Sequence, residues 1–180
     1  QFGLWLTQYI RKIPRYGEYS VFYEHGNRQE NLNVAAIKGF YGKQVRNANR
    51  LTDIDVMVSS ADQKVRILIE IEEKEMSPKK LLGDVFAALF CNRFAVMVDD
   101  EQRYFDIDPE TKLIVAGVVP SRGGKLEKFA KVIIPRLETF TSGSDAAQIK
   151  NMDFVFGEDV CSTIEKLKEK VSELFNEQAD

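Results

Sequence analysis

Asp53, Asp55, Glu70 and Glu72 are the residues whose type and spacing most directly suggest chemistry in this chain. The first pair flanks Ile54 in the run RLTDIDVMV, and the second flanks Ile71 in ILIEIEEK. Alternate side chains of a β-strand share a face, so each acidic pair points one way while Ile54, Val56 and Ile71 point the other. If the two runs pair as a hairpin through SSADQ, up to four carboxylates converge at one end of a sheet. Their mutual repulsion is costly unless a cation is bound or some of them keep a proton. A divalent ion is the economical answer. Mg²⁺ takes a few carboxylate oxygens, keeps several waters and leaves positions open for a phosphate, with Mn²⁺ as a substitute. The alternative is a row of solvated acids on the polar face of a sheet. Glu70 argues against it, because it interrupts an apolar run at 67–71, which places a carboxylate at the edge of the core.

The elements that must position these acids are legible to different degrees. Residues 2–13 carry apolar side chains at helical spacing and stop before Pro14. A second helix is expected somewhere within 19–37, with Glu30 inside it, and an irregular first strand at 40–45. Residues 51–58 and 65–71 read as neighbouring strands. Ser77 is a suitable N-cap with Pro78 at the first helical position, and Leu81, Leu82, Val85, Phe86, Leu89 and Phe90 follow at helical spacing. Short apolar runs at 94–98 and 112–119 are of strand type. A helix disturbed by Pro135 is expected at 126–137, and an amphipathic helix at 160–174.

RLTDIDVMV, ILIEIEEK, the helix SPKKLLGDVFAALF and the strand FAVMV resemble, in this order, the αβββαβ core of the PD-(D/E)XK nucleases. This superfamily includes restriction enzymes and Holliday-junction resolvases. Gly26, Glu30, Leu32, Ala35, Gly39 and Phe40 are similar to the first helix and turn of its resolvase-like members, so the resemblance spans about 26–98. It implies an α/β fold, a restriction-endonuclease-like core with a mixed central sheet flanked by helices, plus an additional C-terminal strand and helices. One domain is expected, with its core at about 19–119 and a helical extension at about 125–176. The resemblance makes Asp55 and Glu70 metal ligands and Glu30 a supporting acid. Asp53 is a further candidate ligand from strand parity. The chain departs from the family at Glu72, where lysine is usual, and a Glu-x-Glu variant is the implied form. A rival register takes Glu72 and Lys74 as Glu-x-Lys. The chemistry implied is attack of water on a phosphodiester with Mg²⁺ on Asp55 and Glu70. Glu72 would complete the coordination or accept a proton, and Lys74 would stand beside the phosphate.

The remaining residues narrow the partners. Twenty-five basic against 28 acidic residues give a net charge of −3, so the total charge does not mark a polyanion binder. Lys43, Arg46 and Arg50, interleaved with Tyr41, Asn47 and Asn49, are expected to leave their loop beside the acids and contact DNA. Lys79 and Lys80, in the first turn of a helix where cations are disfavoured, suggest a nearby phosphate or carboxylate and are also expected to contact DNA. The single histidine, His25, excludes HExxH chemistry, and RGGK at 122–125 lacks the spacing of a nucleotide-binding loop. Cys91 and Cys161 have no metal-binding spacing. No apolar run reaches the ~20 residues of a membrane span, and the first residues lack the apolar stretch of a signal peptide, so a cytoplasmic location is expected. The leading expectation is a Mg²⁺-dependent DNA endonuclease, restriction-enzyme-like or resolvase-like, acting as a homodimer without membrane or nucleotide cofactor. The alternative is a catalytically inactive nuclease-fold domain that binds nucleic acid or a protein partner. An acid-faced domain that binds only protein is a third.

Overall fold

A computed structural model describes residues 2–27, 33–98 and 100–177. Its centre is β5 (Lys64–Glu75), in which Val65, Ile67, Leu68 and Ile69 are all buried, as a strand covered on both faces requires. β4 (Val56–Ser59) pairs with it antiparallel through the expected hairpin, and β1 (Ser20–Tyr23) lies antiparallel on the far side of β4. β7 (Glu101–Val118) runs parallel to β5 on its other side. This strand is much longer than the apolar run at 112–119 suggested. Its first half pairs antiparallel with β6 (Arg93–Val98), and its second half lies between β5 and the parallel β8 (Asn151–Gly157). The change happens around Pro109. There Val65 stands opposite Ile107 but Ile67 opposite Lys112, and proline has no N–H to donate to a ladder. β2 (Ile37–Phe40) and β3 (Arg50–Ile54) extend the sheet beyond β6, in the order β1-β4-β5-β7-β6-β2-β3.

Helices cover both faces of this mixed sheet. On one, α2 (Pro78–Leu89) packs Leu81, Val85, Ala88 and Leu89 with Met57, Leu68, Leu113 and Val115. It is capped where expected, with the Ser77 hydroxyl accepting from the Lys80 N–H at 3.2 Å. Phe129, Ile133 and Leu137 join the same core. They lie along α3 (Lys125–Lys128), a π-helical stretch Phe129–Ile133 and α4 (Ile134–Gly143). The π-helical stretch directly precedes Pro135, whose ring would clash with a carbonyl one turn back in a regular α-helix. On the other face, α1 (Phe2–Arg11) and α5 (Val160–Glu177) bury Leu6, Ile10, Leu167, Val171 and Phe175 against Val56, Ile69, Ile114 and Ala116.

Three elements differ from expectation. The helix expected within 19–37 is replaced, where the chain is described, by β1 and by residues 33–35, which return to the edge of β1 through the Ala35 N–H to Tyr23. The strand expected at 40–45 is β2, ending at Phe40. β8 adds a sheet strand to a segment read as a helical extension. Its NMDFVFG run alternates, with Met152, Phe154 and Phe156 packed partly buried against one core and Val155 buried in the other.

Where β8 hands over to α5, backbone meets backbone. A Cβ on Gly157 would lie 2.3 Å from the Thr163 backbone nitrogen, so no side-chain rotation relieves it. Gly157→Ala is expected to destabilise the protein by about 3 kcal/mol through overpacking, measured by urea unfolding. Unchanged stability would show that the junction yields freely.

Candidate functional site

The long strand expected at 51–58 is interrupted at Asp55, and that interruption builds the site. β3 runs beside β2, β4 runs beside β1 and β5, and Asp55 is the single residue between them. Val56 faces Ile69 across the β4–β5 ladder, so Asp55, one step on, is level with Glu70. Met57 and Leu68 mark this face as the one beneath α2. Asp55 is held from two sides. The Ile71 N–H donates to its Oδ2 at 2.7 Å, and the Glu24 N–H donates to its carbonyl at 3.0 Å.

Electrostatics separate this pair from ordinary surface acids. Burial, followed by the charges of Asp55 and Asp84, pushes the Glu70 carboxyl up to about 8. Its Oε2 is buried without a hydrogen-bond partner among the described residues. Burial also raises Asp55, against the Ile71 hydrogen bond, which lowers it. A buried, bare carboxylate oxygen next to a second carboxylate is the arrangement a cation relieves. The donors of Asp55, Glu70 and Glu72 are all oxygen, the chemistry a hard divalent ion takes, but these three do not bring ligand atoms within 4.8 Å of one another as Glu24, His25 and Asp55 do.

Glu72 shares the parity of Glu70, and its Oε2 lies 2.8 Å from the Lys80 ammonium, while its Oε1 accepts the Lys74 N–H at 2.9 Å. Lys80 also approaches Asp84 Oδ2 at 3.3 Å, a charge contact without hydrogen-bonding geometry. Asp84 escaped the sequence reading, although an acid one helical turn from both Leu81 and Ala88 stands on the flank of the buried stripe of α2. Glu24 and His25 were also missed. Their ligand atoms and one of Asp55 all lie within 4.8 Å of one another. They follow β1 in a bend, where no periodicity announces a neighbour.

Other expected members of the site stand elsewhere. Asp53, on β3, is not drawn to the other acids but forms an ion pair with Arg50, because β3 diverges from β4 at Asp55. Lys74 is exposed. β5 does continue to Glu75, but its register against β7 shifts between Glu72 and Glu75, so alternation does not carry Lys74 onto the face of Glu72. Lys43, Arg46 and Arg50 do not flank the acids. β3 runs from Arg50 to Ile54, separating their loop from Asp55 by roughly 15 Å at the usual rise of a strand. Lys43 instead lines a groove of about 890 Å³ with Tyr41, Lys64 and Arg93, at the other end of β5. A cavity of about 610 Å³ lined by Arg15, Tyr16, Arg66 and Lys112 is likewise remote from Glu70. Lys79 is exposed on the first turn of α2, next to Lys80. Glu30 lies outside the described residues.

The fold is thus an α/β sandwich with a mixed sheet, and the site is a half-buried carboxylate cluster beneath the N-terminal part of α2. Comparison with protein-family models, curated proteins and solved structures found no match. No helix among the described residues is long and apolar enough to cross a membrane.

Proposed function

We propose that this chain is a Mg²⁺-dependent endonuclease that hydrolyses DNA phosphodiester bonds, built on a restriction-endonuclease-like core and working as a homodimer. The observation that carries the reading is the side-by-side placement of Asp55 and Glu70, with the buried Oε2 of Glu70 lacking a partner. The hairpin of β4 and β5 and the following α2 keep the order of elements on which the sequence resemblance rests, whereas FAVMV forms β6, which pairs with β2 and β7, and the parallel neighbour of β5 is β7. Mg²⁺ or Mn²⁺ held there would supply polarisation of the phosphate and easier ionisation of water. The protein's own part is positional. Asp55 and Glu70 bind the ion, the Ile71 N–H fixes the orientation of Asp55, and Glu72 accepts a proton at Oε2 when Lys80 moves away. Lys80 is the lysine that the geometry brings to the acids.

A second reading, a nuclease-fold domain without activity that binds nucleic acid or protein, is favoured by one observation. Lys80 already neutralises Glu72 and Asp84, as a retired site would allow. Incubation of the protein with supercoiled plasmid and with a four-way DNA junction, in Mg²⁺, Mn²⁺ or chelator, separates the two. Nicking or resolution in either metal and none in chelator is expected. Intact DNA in all conditions overturns the nuclease reading in favour of the second.

A further inference from the structure

Lys80 occupies an unusual position for a cation. It lies in the first turn of α2, where the helix dipole disfavours positive charge, and its half-exposed side chain has open solvent beside it. Its ammonium nevertheless turns inward to Glu72 Oε2 at 2.8 Å and Asp84 Oδ2 at 3.3 Å. Glu72 is only 11% exposed and Asp84 24%, so both are carboxylates for which an unpaired charge is expensive. The charge of Lys80 is felt by Glu70 too, opposing the effects of burial, Asp55 and Asp84. One flexible lysine therefore lies against two of the acids and within electrostatic reach of a third.

We infer that Lys80 is the resident counter-ion of this acidic site, holding Glu72 and Asp84 while no divalent ion is bound and swinging outward along its exposed stem when one enters. The inference rests on the metal-site part of the proposed function. Two cations cannot share these carboxylates without repelling each other, so lysine and metal compete for them. The same exchange delivers a freed ammonium to the mouth of the site at the moment a phosphate would need it. Lysine suits this role, because its ammonium is a compact charge on a long, rotatable stem.

The test is titration of Mn²⁺ into the parent, Lys80→Gln, Lys80→Arg and the remote control Lys131→Gln, followed by the electron paramagnetic resonance of free Mn²⁺. Plasmid cleavage is measured in parallel on the same samples. Removing the competing charge in Lys80→Gln is expected to tighten Mn²⁺ binding by at least about fivefold, an effect that shrinks as salt is raised. Lys80→Arg, which keeps the charge, and Lys131→Gln should bind as the parent does. Thermal melts confirm that each variant is folded. Unchanged or weaker Mn²⁺ binding by a folded Lys80→Gln overturns the inference, as does absence of Mn²⁺ binding by parent and variant alike. A parent that binds Mn²⁺ in this Lys80-dependent way but cuts no DNA overturns the nuclease reading while supporting the role of Lys80.

Discussion

Asp55→Asn is expected to lower metal-dependent DNA cleavage by about 10³-fold or more, with little change in folding. The amide keeps an oxygen able to accept the Ile71 N–H, which Asp55 Oδ2 now takes at 2.7 Å, so the junction between β3 and β4 retains its brace. What disappears is the negative charge beside Glu70. Loss of a metal ligand forfeits several kcal/mol of transition-state stabilisation, and each ~1.4 kcal/mol is a factor of ten. Asp55→Ala is a poorer probe, since it also leaves the Ile71 N–H without its acceptor, at a cost of about 1–3 kcal/mol. Cleavage rates at saturating Mg²⁺ and thermal melts decide the matter together. A folded Asp55→Asn that cuts as fast as the parent removes Asp55 from the reaction.

Glu70 leads to the second large effect, a stability that falls as pH rises. Burial, Asp55 and Asp84 together move its carboxyl from 4.5 up to about 8 in the folded protein. Between those two values the folded chain keeps a proton that the unfolded chain has released. Its contribution is therefore fully present below about 4.5 and is lost progressively as pH rises to about 8. At ~1.4 kcal/mol per pH unit, the loss across this window is roughly 2–5 kcal/mol. Asp55 is raised as well, so it adds a loss of the same sign and titrates jointly with Glu70. Melting temperatures without metal should decline across this interval, and Glu70→Gln, which cannot ionise, should largely flatten the decline. Mg²⁺ or Mn²⁺ binds the charged form, so its stabilising effect should grow over the same interval. A parent whose melting temperature is level from pH 5 to 8.5, as an approximate working range, would refute this account of Glu70.

The hairpin, α2 and both apolar faces of β5 were legible because they depend on local rules: turn chemistry, an N-cap with a following proline, and apolar period. β8 was not, since a strand inserted beside β7 takes its stability from a partner distant in sequence. The helix expected within 19–37 failed for a related reason. Tyr19, Val21 and Tyr23 alternate as well as they spiral, and the neighbouring edge of β4 decides between the two. The basic loop stands away from the acids because residues 51–58, whose pattern suits one strand, form two. The break at Asp55 sends β3 and β4 to different neighbours, and nothing in the residue types at 50–58 announces it.

The opening acids divide along the same line. Sequence by itself determined that Asp55 and Glu70 can meet across a hairpin, and that Glu70 lies within an apolar run, because strand parity and burial pattern act over a few residues. Tertiary structure alone decided the membership of the cluster. It removed Asp53 through the divergence of β3, set Lys74 apart through a slipped register, and brought in Asp84, Glu24, His25 and Lys80 from other elements. Which charges share a low-dielectric space depends on packing between segments distant in the chain, and that information resides in no local pattern.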